Sequence, residues 1–159
     1  MTDMSALAEQ VGETLQQQGR VLATAESCTG GWVAKLVTDV AGSSQWFDRG
    51  FVTYSNQAKI EMLGVSATTL DRFGAVSRET VIEMASGALA FSRARLSVAV
   101  SGIAGPGGGS PGRPVGTVWF AWAGERGVEA RCEVFAGDRL GVRAATVDCA
   151  LAGLLERAR

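Results

Sequence analysis

The sequence contains no histidine. That absence removes imidazole as a general base and as a metal ligand, and so excludes the Ser-His-Asp and Cys-His routes to hydrolysis. The three cysteines, Cys28, Cys132 and Cys149, form no CxxC pair. A transition-metal site therefore has no ligand set, and the scattered carboxylates suit Mg²⁺ or Ca²⁺ at best. No metal and no cofactor is expected. An odd number of unpaired cysteines points to reduced thiols and a cytoplasmic location. Basic runs are also absent, and the net charge is −1 with a pI near 5.5. The overall field does not favour nucleic acid. Met1-Thr2-Asp3-Met4 lacks the basic start and apolar core of a signal peptide. No stretch approaches the roughly 18 apolar residues of a membrane span. Lysine is scarce, with Lys35 and Lys59 against thirteen arginines, and tyrosine occurs once, at Tyr54.

What is present describes a well-packed globule: 47% of the residues are apolar and 19% charged. A chain of this length buries about 70% of the surface its unfolded form exposes. The reading is one domain over residues 1–159. Leu7, Val11 and Leu15 recur at helical spacing, and Gly19 follows as a C-terminal cap. Arg20 to Ala25 reads as a buried strand and Gly31 to Val40 as a helix. Asp48 to Tyr54 reads as a second strand, followed by a short helix carrying Lys59 that Ser55-Asn56 caps. Ser77 caps a further helix, and Leu96 to Val100 is a third strand. Thr117 to Ala123 and Val128 to Phe135 form a hairpin, and Leu140 to Leu154 stripe a last helix. The order α-β-α-β-α-α-β-β-β-α argues an α/β fold, a three-layer α/β/α domain with a mixed sheet and helices on both faces. Trp32, Trp46, Phe47, Trp119 and Trp122 offer more large apolar surface than a small monomer needs, so a homo-oligomer is expected.

Four stretches carry chemistry. The first is Ala25-Glu26-Ser27-Cys28-Thr29-Gly30-Gly31, between the end of a strand and the start of a helix. A serine in such a turn stands as an exposed nucleophile with backbone N–H groups beside it. Thr29, Gly30 and Gly31 can present those groups to an anion or an oxyanion. Equally, Ser27 and Thr29 can serve only as helix caps. Cys28 is a rival nucleophile, or a small buried hydrophobe. With no histidine, the base for Ser27 must be another group, and lysine is the usual substitute.

The second stretch, Tyr54-Ser55-Asn56-Gln57-Ala58-Lys59, places the only tyrosine near one of the two lysines. A lysine of ordinary pKa, near 10.4, is protonated at neutral pH, so burial or a nearby cation must lower that value before it can act as a base. The alternative is a solvated lysine on an amphipathic helix. The third stretch is the loop from Gly102 to Gly116, with seven glycines and all three prolines. It lacks the GK[ST] of a P-loop and joins strand to strand. Ser101, Gly102 and Gly105 lie where a sheet end binds ligands, and long structureless loops in compact domains are commonly functional. The fourth is Gly137-Asp138-Arg139 with Arg143, where two guanidiniums on one helix face suit a phosphate or carboxylate, or are simply solvated.

Taken in order, AESCTGG, GFVTYSNQAK, GAVS, SGIAGPGGG, PVGTVWFA and FAGDR resemble the CinA C-terminal domain family, over nearly the whole chain. The length leaves no room for the N-terminal molybdopterin-binding-like domain that many such proteins carry, so the chain resembles the stand-alone form. The resemblance implies hydrolysis of the carboxamide of nicotinamide mononucleotide to nicotinate mononucleotide and ammonia. It also implies a metal-free amidase with Ser27 as nucleophile and Lys59 and Tyr54 assisting. Asn56, Ser101, Gly102, Gly105, Arg139 and Arg143 join Thr29, Gly30 and Gly31 as candidate substrate-binding positions. A non-catalytic nucleotide- or partner-binding module of the same fold is the alternative. A Ser-Tyr-Lys dehydrogenase is disfavoured, because its Tyr and Lys lie four apart on one helix face and here they lie five apart with no dinucleotide fingerprint.

Overall fold

In the computed structural model, residues 3–159 are described; Met1 and Thr2, the first residues of the stretch read for a signal peptide, lie outside them. Helix α1 (Met4–Gln18) leads into strand β1 (Leu22–Glu26), then α2 (Trp32–Thr38) and a short 3-10 turn (Ser43–Gln45). Strand β2 (Phe47–Val52) follows, then α3 (Asn56–Leu63), α4 (Ala67–Phe73) and α5 (Arg78–Ala90). Strands β3 (Leu96–Gly102), β4 (Thr117–Gly124) and β5 (Gly127–Val134) and the long α6 (Arg139–Ala158) complete the chain. The five strands form one mixed sheet in the order β2-β1-β3-β4-β5. Strand β1 is parallel to β2 and β3, whereas β3–β4 and β4–β5 are antiparallel.

The local signals explain most of these elements. The Asp3 side chain accepts from the Ser5 and Ala6 N–H groups to start α1, and Gly19, at φ 64°, ends it. Leu7, Val11 and Leu15 are all buried, as their spacing predicts. Helices α1, α2 and α6 pack on one face of the sheet around Leu22, Val98, Phe120 and Leu151. Helices α3, α4 and α5 cover the other face around Ala23, Ala99, Leu63 and Met84. Strands β1 and β3 are covered on both faces, which is why they show no apolar-polar alternation of burial.

The fold departs from the sequence reading in three places. A helix, α4, stands where none is expected; it buries only Leu70, too little to write a periodic stripe. Helix α2 begins at Trp32, because Gly31 sits in the left-handed region (φ 102°) as its cap. The tryptophans do not supply a large exposed apolar surface. Trp46 and Trp122 are each 1% exposed, and Trp32, Phe47 and Trp119 are half-buried. Among the described residues no helix is long and apolar enough to cross a membrane.

The topology places the site. From β1 the chain crosses by α2 to β2 on one side; it then returns over the opposite face to β3 on the other side of β1. The chain thus switches direction at the carboxyl end of β1, and such switch points leave a crevice outside the strand ends. Ser27 is the first residue past that end.

Candidate active site

A pocket of about 270 Å³ opens at this crevice. Its lining includes Ser27, Cys28, Tyr54, Asn56, Lys59, Ser101, Gly102 and Arg139. Five chain segments far apart in sequence therefore converge on one cavity, Ala75 and Val76 from the α4–α5 loop among them. Ser27 comes from the turn after β1, Tyr54 to Lys59 from the β2–α3 junction, Ser101 and Gly102 from the end of β3, and Arg139 from the start of α6.

The nucleophile turn is fixed from its own residues outward. Ser27 N–H donates to Val100 O at 3.1 Å, tying the turn to β3, and Gly30 N–H donates back to Ser27 O at 3.1 Å. Glu26, 1% exposed, lies beneath the turn. Its carboxyl oxygens accept from Thr29 Oγ1 at 2.5 Å, from Val33 N–H at 2.8 Å and from Ala34 N–H at 3.1 Å. This carboxyl is what caps α2, rather than Ser27 or Thr29. It occupies the helix N–H groups that an anion would otherwise use. Ser27 Oγ is thereby left to face the pocket.

Lys59 is the central observation. Ser55 Oγ accepts from Ala58 N–H and starts α3, which turns the Lys59 side chain inward on the first turn. The side chain is 1% exposed, so it is not the solvated surface lysine of the bland alternative. Its Nζ donates to Ser27 Oγ at 3.0 Å and to Thr53 O at 2.8 Å. Among the described residues no carboxylate is bonded to it. Burial without a counter-charge disfavours the ammonium and lowers its pKa from the ordinary 10.5 to about 8. Cys28, next to Ser27, moves the other way: burial raises its thiol to about 11. At neutral pH the thiol is protonated and a poor nucleophile.

Tyr54 does not lie between Ser27 and Lys59. It is 62% exposed, and its hydroxyl accepts from Arg139 Nη2 at 3.0 Å. Arg139 Nη1 donates to Gly105 O at 2.8 Å, so this guanidinium joins the rim of the pocket to the glycine loop. Asn56 is exposed at the start of α3, on the same rim. Ser101 lies buried in the pocket wall. Arg143, on the same helix as Arg139, turns elsewhere. Its Nε donates to Cys28 O at 2.9 Å and its Nη2 to Thr29 O at 3.0 Å. Thr29, Gly30, Gly31, Gly105 and Arg143 are not part of its lining. The glycine loop is anchored where Arg113 donates to Phe73 O at 2.6 Å.

Sequence reasoning missed two contributors. The Thr53 carbonyl leaves no trace in sequence because it acts through its backbone. Glu26 leaves no helix-start signal either, because it ends β1 and reaches the first N–H groups of α2 only through the fold of the turn. Among the described residues no three His, Cys, Asp or Glu side chains are grouped to hold a metal ion.

Residues 4–158 match the CinA C-terminal domain. The chain is 60% identical over 146 residues to the nicotinamide-nucleotide amidohydrolase PncC of Escherichia coli (strain K12), covering 90% of this chain and 88% of that protein. It is 51% identical to the protein of the same name from Pseudomonas putida, covering 98% of each. In structure it resembles the competence/damage inducible protein CihA from Agrobacterium tumefaciens, with a TM-score of 0.97 and 47% identity over 100% of this chain and 98% of that one. From a model match over nearly its whole described length and relatives of this identity, the chain belongs to the CinA C-terminal domain family.

Proposed function

We propose that this protein is a nicotinamide-nucleotide amidase that hydrolyses the carboxamide of nicotinamide mononucleotide to nicotinate mononucleotide and ammonia. The observation that carries the reading is the buried hydrogen bond between Lys59 Nζ and Ser27 Oγ, with the lysine's pKa lowered to about 8. A hydroxyl in contact with an amine that is partly neutral near physiological pH is an activated nucleophile. Curated relatives at 51–60% identity bear the name of this activity.

Neutral Lys59 accepts the Ser27 Oγ proton as Oγ bonds to the carboxamide carbon. Lys59 then gives that proton to the amide nitrogen as the C–N bond breaks and ammonia leaves. Water attacks the acyl ester, passing its proton to Lys59, which returns it to Ser27 Oγ as the ester bond breaks. Lys59 acts directly, since it touches Ser27 and Tyr54 touches Arg139 instead. The Thr53 carbonyl aims the amine. Of the turn residues after Ser27 only Cys28 lines the pocket; Gly30 N–H is committed to Ser27 O, and Thr29 and Gly31 lie outside the lining. The backbone N–H of Cys28, next to Ser27 in the pocket lining, is the candidate oxyanion donor. Tyr54, Asn56 and Arg139 form the rim that receives the nucleotide.

We read residues 1–159 as one domain of this kind, since both apolar clusters pack on the faces of one sheet. Free thiols at Cys28, Cys132 and Cys149 suit a cytoplasmic enzyme. A homo-oligomer would draw on exposed side chains such as Phe91 and Leu140 rather than the tryptophans. The test is ammonia release from a panel of carboxamide nucleotides. Turnover of nicotinamide mononucleotide is expected; binding without ammonia release would favour the non-catalytic alternative.

A further inference from the structure

We infer that Ser101 is a catalytic residue of the amidase reaction, its hydroxyl donating a hydrogen bond to the oxyanion that forms when Ser27 attacks the carboxamide. The inference rests on the reading of Ser27 as the nucleophile. Ser101 is 1% exposed and lines the pocket. Ser97, on the same strand and the same face, shows what a structural serine does here: its Oγ donates to Ala85 O at 2.8 Å. Among the described residues the Ser101 hydroxyl has no such partner, yet unlike Thr24 Oγ1 and Thr53 Oγ1, which also have none, it is not sealed from solvent. The little of Ser101 that is open therefore includes its hydroxyl, and the opening is the pocket. Buried polar groups are held by a partner as a rule, and a molecule in the pocket is what can reach this one.

The sheet order decides which part of the carboxamide this hydroxyl meets. Strand β1 lies between β2 and β3, so Ser27 has a flank on each side. On the β2 side stands Lys59, whose Nζ donates to Ser27 Oγ and to Thr53 O, the carbonyl just past the end of β2. On the β3 side stands Ser101. The β1–β3 register sets Glu26 against Val100, and Ser27 N–H donates to Val100 O, so Ser101 is opposite Ser27, one strand spacing of about 4.8 Å away. Side chains alternate along β3, with Val98 and Val100 on the face of α1, α2 and α6. Ala99 and Ser101 therefore belong to the face that α3 covers, from which Lys59 enters. Lys59 must reach the amide nitrogen to give it a proton, so the nitrogen points to the β2 side. The carbonyl oxygen, across the attacked carbon, then points to the β3 side and to Ser101. Cys28 N–H is one donor for that oxygen, and Ser101 Oγ is a second whose proton turns toward the developing charge by rotation of the hydroxyl alone.

The experiment compares ammonia release by the unaltered enzyme, Ser101→Ala and Ser101→Thr at pH 9, where Lys59 is mostly neutral, on nicotinamide mononucleotide and on its thioamide analogue. Losing one preorganised oxyanion donor costs about 10²- to 10³-fold in kcat. For Ser101→Ala on the mononucleotide, a fall of about 10²-fold in kcat is expected, with KM within about threefold and the acid limb of the kcat profile unmoved. Sulfur is a weaker acceptor than oxygen, so on the thioamide the same substitution is expected to cost less than about tenfold. Ser101→Thr keeps a hydroxyl and is expected to lie between Ala and Ser. The Tm of Ser101→Ala is expected not to fall, since the hydroxyl removed has no partner in the protein. A kcat within about threefold of the unaltered enzyme, a rise in KM larger than the fall in kcat, or equal losses on the two amides overturns the inference; the last is what a merely structural serine gives. Ser27→Ala in the same assay separates the two readings: an active Ser27→Ala refutes the nucleophile assignment whatever Ser101 does.

Discussion

At the scale of single residues, the site is a serine and a lysine whose environments have been altered in complementary ways. Ser27 is ordinary except for its neighbour; Lys59 is extraordinary only because it is buried without a carboxylate. Ser27→Ala should reduce kcat by roughly 10⁴- to 10⁶-fold, the scale seen when a nucleophile of a concerted unit is lost. Cys28→Ala should keep most activity, because a thiol raised to about 11 supplies almost no thiolate at pH 7. Steady-state ammonia release from the two variants decides between them, and reversed results would make this a thiol amidase. The sign of the pH dependence follows from Lys59. Below about pH 8 the amine is protonated and cannot take the Ser27 proton, so kcat/KM should rise tenfold per pH step up to about 8 and level off above it. An acid limb near pH 6 would belong to some other group. Arg139 gives the substrate-side prediction. It stands on the pocket rim with donors directed to Gly105 O and Tyr54 Oη. A hydrogen bond to a charged group is worth roughly 1.5–3 kcal/mol. Arg139→Ala should thus lower kcat/KM for the mononucleotide about ten- to a hundredfold and leave the riboside nearly unaffected. Equal losses on both substrates would show that the phosphate is held elsewhere.

At the scale of elements, Lys59 is placed by helix packing as much as by its own chemistry. Helix α3 docks on α5 through Gly87, where a Cβ would stand 2.0 Å from Leu63 O, backbone that cannot swing aside. Gly87→Ala must therefore push α3 outward, at an overpacking cost of about 1–3 kcal/mol. The same displacement admits water to Lys59 and loosens its contact with Ser27. Tm should fall, kcat should fall with it in the still-folded enzyme, and the acid limb should move to higher pH. Unchanged Tm and kcat would mean that the helices do not meet here. This dependence on neighbours also marks what could be read from sequence. Elements with a periodic stripe or a cap were legible: α1 from Leu7, Val11 and Leu15, α5 from Ser77, and the β4–β5 hairpin from its alternation around a Gly-bounded turn. Helix α4 was not, having a single buried residue. Lys59 and Tyr54 were legible as scarce residues, Ser27 as a serine between a strand end and a Gly-opened helix, and all three as parts of a family pattern. The burial of Lys59 was not, because nothing within α3 distinguishes an inward lysine from a solvated one. Nor was the engagement of Arg143 with Cys28 O and Thr29 O, which joins segments distant in sequence and depends on backbone atoms that every residue has.

At the scale of the whole molecule, the same lysine sets activity against stability. The unfolded chain holds Lys59 at its ordinary pKa of 10.5, whereas the folded chain holds it near 8. Because the folded pKa is depressed, the unfolded state binds the extra proton between these values, and stability attributable to this group rises with pH across that window. Below about pH 8 both states are protonated and the penalty is at its full size, about 3 kcal/mol at 1.4 kcal/mol per pH step. For a domain whose total stability is of order 5–15 kcal/mol, that is a substantial cost carried for catalysis. Lys59→Met keeps a long flexible side chain in the apolar space and removes the charge, at the expense of the bonds to Ser27 Oγ and Thr53 O. It should therefore be inactive and more stable than the unaltered protein at pH 7, with the gain shrinking by about 2 kcal/mol between pH 7 and pH 9.5 as the native lysine becomes neutral. Denaturant unfolding of both proteins at the two pH values reads the difference directly, since every other titrating group is shared and cancels. A stability difference that does not change with pH would mean that Lys59 titrates at the same value folded and unfolded, and would remove the physical basis for its role as the base.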